Sequence, residues 1–203
     1  MSGGCVLARV KSEAVREAIL SAATVEFSEK GYLKTTVNSI AKGADTAPSN
    51  VYVYFASKLE IVLAIYEPWF KRKILALEKA VAKKKTREQK IRCLVAGLLR
   101  DVADDNAGYT STLIAALATA QPPDGYRPDL LLWAEGRIAA MIGEAVSETG
   151  RTNRNLPSLA RLLMLVFDGV AVRSNLKQNI GTTNAMLSVV VGLISSDFEA
   201  EDS

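Results

Sequence analysis

The sequence predicts an all-α protein. Apolar residues recur at spacings of three and four through nearly every segment, no strand-like alternation persists, and Pro and Gly are sparse, at 6 and 13 of 203 residues. Helices are expected at about 10–30, 37–43, 48–54, 58–84, 87–105, 110–119, 127–149, 157–178 and 183–198. Gly31, the Gly43–Thr46 turn, Ser57, Gln121–Gly125 and Thr149–Asn155 separate them.

In the first helix Ala18, Ile19, Ala22, Ala23 and Phe27 form an apolar stripe, and Gly31 ends it, because a residue without Cβ enters the left-handed cap conformation at no steric cost. Thr36 is placed to cap a two-turn helix whose inward face is Val37, Ile40, Ala41 and Ala44. The small Ala41 and Ala44 allow the following helix to cross closely. That helix, Pro48–Tyr54, turns Val51 and Phe55 inward and offers Ser49, Asn50, Tyr52, Val53 and Tyr54 to the outside. Two short helices joined by a tight turn, the second with a polar outer face, describe a helix-turn-helix.

The fourth helix contains Pro68, which removes a backbone donor and crowds the preceding turn, so a bend is expected there. In the last two helices Leu159, Leu162, Leu163, Leu165, Val166 and Val170 cover a wide arc, and Met186, Leu187, Val189, Val190, Val191, Leu193 and Ile194 run almost around the final one. A helix apolar all round is buried all round, which predicts that this pair meets its copy from a second subunit in a two-fold, four-helix interface. Gly169 and Gly192 permit close helix approach, either there or within the chain.

Composition narrows the function classes. The two cysteines, Cys5 and Cys93, lie far apart and match no metal or redox spacing, as in reduced cytosolic proteins. No apolar run reaches the roughly 18 residues of a membrane span, and Met1–Val10 lacks a secretion-like segment, so a cytoplasmic protein with no membrane partner is expected. Histidine is absent, which removes the commonest general base and every histidine metal site. No catalytic residue, metal or cofactor is assigned. The net charge of +3 is unevenly spread: residues 71–92 carry ten Lys/Arg against two Asp/Glu, and residues 93–203 carry eight against thirteen. This suits an anionic partner at one end, or for Lys83–Lys85 a solvated helix end.

The residues Ala18-Ile19-Leu20-Ser21-Ala22-Ala23, Phe27-Ser28-Glu29-Lys30-Gly31-Tyr32, Thr35-Thr36-Val37, Ile40-Ala41, Ala44 and Val51-Tyr52-Val53-Tyr54-Phe55-Ala56-Ser57-Lys58 resemble, in order and spacing, the TetR family of bacterial one-component regulators. The resemblance covers about residues 10–65; the rest of the chain shares only the helical character of that family's ligand and dimer domain. It implies a helix-turn-helix DNA-binding domain over 1–57 and a helical ligand-binding and dimerisation domain over 58–203. Base contacts would fall to Pro48, Ser49, Asn50 and Val53, and phosphate contacts to Thr36, Tyr52, Tyr54 and Lys58. The chemistry agrees, since hydroxyls donate to phosphate oxygens and asparagine pairs with adenine in the major groove.

The chain departs from the family pattern where Asp45-Thr46-Ala47 replaces a usual Gly-Val-Ser, and where Tyr54 replaces a frequent histidine. Aspartate tolerates the left-handed conformation, and Thr46 is placed to cap the recognition helix. The resemblance also implies a small-molecule cavity in the region of Tyr66, Trp69, Phe70, Leu98, Tyr109, Leu113, Trp133, Met164 and Phe167, residue types that equally form ordinary core. The implied protein is a ligand-responsive repressor. It would bind a pseudo-palindromic double-stranded operator as a homodimer through its last two helices and be released by a small apolar or aromatic inducer.

Overall fold

The computed structural model describes residues 3–103, 105, 108–121, 128–146, 155–175 and 184–196. Among them the chain forms α1 (Gly3–Lys34), α2 (Val37–Gly43), α3 (Pro48–Tyr54), α4 (Lys58–Ala82), α5 (Arg87–Ala96) continued by a π-helical turn (Gly97–Val102), α6 (Tyr109–Thr119), α7 (Asp129–Val146), α8 (Leu156–Asn175) and α9 (Asn184–Ser196). The all-α expectation holds. The helix ends expected at 127, 149, 178, 183 and 198 lie outside the described residues. The helix expected to run to 105 stops at Val102, and its last turn is wide: the Ala103 amide donates to the Leu98 carbonyl, five residues back, at 3.2 Å. No helix among the described residues is long and apolar enough to cross a membrane.

Backbone packing divides the chain into two compact units, Met1–Pro68 with Ala107–Tyr126, and Trp69–Asn106 with Arg127–Ser203. The first has a core of Ile19, Ala23 and Phe27 from α1, Ile40 and Ala41 from α2, Val51 from α3, then Phe55, Leu59, Ile61 and Val62. Ala116 of α6 is fully buried in the same core, and Leu113 and Ala120 pack against it. The sequence reading divides the chain at residue 57. The packing keeps α4 as far as Pro68, and all of α6, with the N-terminal helices.

In the second unit α7 lies along α8, and α5 along both α7 and α9. Two arginines hold α9 at its ends. Arg87 Nη2 donates to the Ser195 carbonyl at 2.9 Å, taking up an acceptor that the last turn leaves open, and Arg100 Nη2 donates to Asn184 Oδ1 at 2.8 Å. Because Arg87 precedes Arg100 and reaches the far end of α9, the two segments run antiparallel. Ion pairs join Arg137 to Glu78 and Arg161 to Glu135. Gly97 sits where α5 presses on α4: a Cβ there would lie 2.3 Å from Leu77 Cδ1, and Leu77 is buried.

The close approach makes a sharp prediction. Gly97→Ala should destabilise the protein by about 1–3 kcal/mol through overpacking, outweighing the helix propensity alanine adds. Gly136→Ala, where a Cβ meets nothing within 4 Å, should instead stabilise α7 by up to about 1 kcal/mol. Thermal denaturation of the two variants should move in opposite directions.

Candidate nucleic-acid interface

The helix-turn-helix is built from the end of α1 outward. Gly31 takes φ 73° and ψ 164°, leaving helical geometry, so the chain can turn toward α2. Thr35, almost fully buried, shares its hydroxyl proton between the carbonyls of Gly31 at 2.9 Å and Glu26 at 3.0 Å. Thr36 is extended and caps α2 as expected: its Oγ1 accepts the Ser39 amide at 3.1 Å, and Ser39 Oγ accepts the Thr36 amide at 3.2 Å. This reciprocal cap leaves the exposed Thr36 hydroxyl proton available outward. Lys30 and then Ser39 hold the neighbouring Glu26 carboxyl below the ordinary carboxylate range, against a smaller opposing effect of desolvation.

The turn between α2 and α3 places Asp45 at φ 49°, in the left-handed region, as its short polar side chain allows. The Ala44 amide donates to Ile40 at 2.9 Å and the Thr46 amide to Ala41 at 2.9 Å, closing the end of α2. At the start of α3 the structure corrects the sequence reading. Ala47 is the cap residue, without a side-chain bond, and Pro48 occupies the first helical turn, where no intrahelical amide is required. Thr46 does not cap the backbone. Its Oγ1 accepts from Asn50 Nδ2 at 2.8 Å.

The outer face of α3 carries Pro48, Ser49, Tyr52 and Val53, all exposed, with Val53 at 76%. Asn50 and Tyr54 are half-buried, while Val51 and Phe55 face the core. The bond to Thr46 occupies one Asn50 amide hydrogen and leaves its second hydrogen and Oδ1, the pair needed for adenine. The Arg16 guanidinium lies over the Phe55 ring, 5.4 Å from its centroid. Ser57 Oγ accepts the Glu60 amide at 3.1 Å, and Glu60 reaches back to the Ala56 amide, a reciprocal cap at the start of α4.

Lys58 has an internal role that the sequence pattern did not reveal. Its Nζ donates to the carbonyls of Tyr32 and Thr35, each at 2.8 Å, and sits 4.0 Å from the Tyr32 ring centroid. Burial draws its pKa below the ordinary lysine value, while the two carbonyls and the ring face favour the charged ammonium. The lysine thus ties the start of α4 to the residues leading into α2.

The nine residues expected near a cavity fall in both units. Tyr66 and Tyr109 line a cavity of about 10 Å³ with Phe27, Val62, Ile65 and Thr112, space for roughly one water; Leu113 packs on the neighbouring core. In the second unit the rings of Phe70 and Phe167 are 5.9 Å apart, and Leu98 and Met164 are buried. Trp69 and Trp133 are half-buried, each beneath an ammonium, Lys73 at 5.8 Å and Lys71 at 5.5 Å.

Two substitutions separate structure from contact. Lys58→Met should lower thermal stability by about 1–3 kcal/mol, because it strands two carbonyls; a lysine serving only an outside partner would leave stability unchanged. Asp45→Gly should stabilise by a few tenths to about 1 kcal/mol, and Asp45→Ala should destabilise, as measured by chemical denaturation.

Comparison with known proteins places this geometry. Residues 19–65 match the family described as bacterial regulatory proteins, tetR family. The fatty acid metabolism regulator protein of Bacillus subtilis (strain 168) is 27% identical over 88 residues, a match spanning 43% of this chain and 45% of that protein, under half its length. The transcriptional regulator FadR from Bacillus subtilis, solved in complex with stearoyl-CoA, shares the fold with a TM-score of 0.63 at 18% identity, over 90% of this chain and 98% of that one. A TetR transcription regulator from Haloarcula marismortui does so at 0.64 and 18%, over 93% and 98%. The match to the tetR family of bacterial regulatory proteins is thus carried by residues 19–65, from α1 into α4, whose turn, cap and short third helix are described above, and over the rest of the chain the likeness is one of fold.

Proposed function

We propose that this chain is a ligand-responsive transcriptional repressor that binds a pseudo-palindromic operator as a homodimer and releases it when a small apolar molecule binds. The observation that carries the reading is the presentation of α3: a short helix, fixed by the Asp45 turn and buried Val51, exposing Ser49, Tyr52 and Val53 beside the Thr46-anchored Asn50. In this reading Pro48, Ser49, Asn50 and Val53 meet base edges in the major groove. The hydroxyls of Thr36, Tyr52 and Tyr54 meet phosphates, and Lys58 acts through the residues around Thr36 that it holds in place.

The dimer reading rests on apolar side chains that the monomer leaves outside. On α8 these are Leu162, Leu165 and Val172, and on α9 Met186, Val189 and Leu193, with Leu165 and Val189 each 62% exposed. Leu187, Val191 and Ile194 turn the other way, into the subunit. The final helix therefore has two apolar faces, one buried and one suited to a second copy. At Gly169 and Gly192 an added Cβ would meet nothing within the subunit, consistent with glycines placed for a close partner.

For the ligand, the FadR neighbour was solved with stearoyl-CoA, and Phe70, Leu98, Met164 and Phe167 are buried apolar side chains of the second unit. A long apolar chain is thus the first inducer class to test. Pro68 stands inside α4 at the residue where the two compact units divide, a natural point for ligand binding to alter the helix. A typical coupling of about 1–3 kcal/mol would change operator affinity by ~5- to 150-fold.

Selection of bound sequences from a random DNA pool, followed by gel shifts against long-chain acyl-CoA thioesters and free fatty acids, tests the whole reading; no enriched sequence would overturn it. Asn50→Ala should cost about 1–3 kcal/mol and relax preference at one base pair per half-site, whereas Tyr52→Phe should weaken all sequences alike. Val189→Glu should give monomers in sedimentation and lose operator binding, and unchanged mass would remove this face from the interface.

A further inference from the structure

Beyond the DNA-binding surface and the apolar interior, the second unit carries an open groove of about 500 Å³ lined by Lys84, Gln89, Arg92, Cys93, Ala96, Gly97 and Asp101. Its shape follows from the sequence. Cys93, Ala96 and Gly97 are small and form one stripe along α5 and its π-helical turn, while longer side chains stand on either side. The Cβ position of Gly97 faces Leu77 of α4, so this residue contributes only backbone to the groove lining. The volume is in the range of small-molecule sites, roughly 300–1,000 Å³.

The chemistry of the lining is ordered. Lys84 and Arg92 supply cationic donors, Gln89 an amide, and Asp101 a carboxylate acceptor. Lys73 Nζ donates to the Asp101 backbone carbonyl at 3.1 Å. Arg92 pairs with Glu88, at 3.3 Å on the surface, where both side chains are more than half exposed, so an incoming anion displaces that pair at small cost. Lys84, Gln89 and Arg92 of the lining belong to the segment 71–92, which carries ten cations against two carboxylates. A plain anion would suit the cations but not Asp101, and a flat or convex polyanion such as a DNA backbone does not need a concave floor of small residues.

We infer that this groove binds a nucleotide-type ligand, its phosphate groups on Lys84 and Arg92 and its hydroxyl or amino groups on Gln89 and Asp101. The inference stands apart from the operator reading, since none of these residues belongs to the helix-turn-helix. Guanidinium and ammonium groups bind phosphate oxygens with charge-assisted hydrogen bonds, and a carboxylate accepts from sugar hydroxyls, so a single ligand satisfies both parts of the lining.

Cys93 lies in the lining and reports on occupancy. The full-length protein is treated with N-ethylmaleimide, with and without adenosine 5′-diphosphate, and Cys93 modification is followed by peptide mass spectrometry, Cys5 serving as reference. At about ten times its Kd the nucleotide should slow Cys93 labelling about tenfold, with Cys5 unchanged. Lys84→Gln with Arg92→Gln should abolish the protection; both side chains are exposed, so the fold should persist. Unchanged labelling at millimolar nucleotide would overturn the inference, as would equal protection by sodium sulfate at matched ionic strength, or protection that survives the double substitution. The double variant should bind the selected operator within about twofold of the parent; a loss above tenfold would assign these cations to DNA instead. Failure to select any operator would remove the repressor reading and leave the thiol measurement intact.

Discussion

The N-terminal module depends on how the end of α1 is tied off. A helix finishes with carbonyls that have no partner of their own, and in this chain Gly31 turns the backbone away before a regular cap can form. The Lys58 ammonium takes the carbonyls of Tyr32 and Thr35, while the Thr35 hydroxyl takes those of Gly31 and Glu26. A residue from the start of α4 and a buried threonine thereby fix the entry to α2. The position of Thr36, the direction of α2, and through Ala41 and Val51 the seat of α3 all follow from that point.

Much of this was readable in the sequence because it rests on local rules. The spacing of Ile19, Ala23 and Phe27, the Gly31 break and the Thr36 cap each need only neighbours within a few residues. Two features were not readable. Lys58 lies 26 residues from Tyr32, so only the fold brings its ammonium to that carbonyl; a lysine after a recognition helix reads equally well as a group waiting for phosphate. Thr46 and Asn50 stand four apart, a spacing that would have suggested their bond, but Thr46 next to a helix start also fits a backbone cap. Proline at the start of α3 makes a side-chain cap less necessary and frees Thr46 for Asn50.

Long-range packing explains the rest. Ala116 belongs to the core of the N-terminal module although its helix follows α5, and nothing in the apolar pattern of Tyr109–Thr119 says which core it joins. The same holds for α9, whose apolar residues surround the helix: periodicity indicates burial all round without saying which face meets the subunit. Arg87 and Arg100 settle its placement by taking the Ser195 carbonyl and the Asn184 amide oxygen, contacts spanning 108 and 84 residues.

The inward turn of Lys58 also bears on how such a protein would find its target on a chromosome. Between Thr35 and Ser57 the sequence carries one cation, Lys42, against one carboxylate, Asp45. Under the proposed operator reading, a recognition surface so close to neutral would displace few condensed counterions, so random duplex would compete for it weakly and its affinity would vary gently with salt. Discrimination would then reside in the polar and apolar groups of α3, and residence on the correct site would be set by fit more than by attraction to the polyanion.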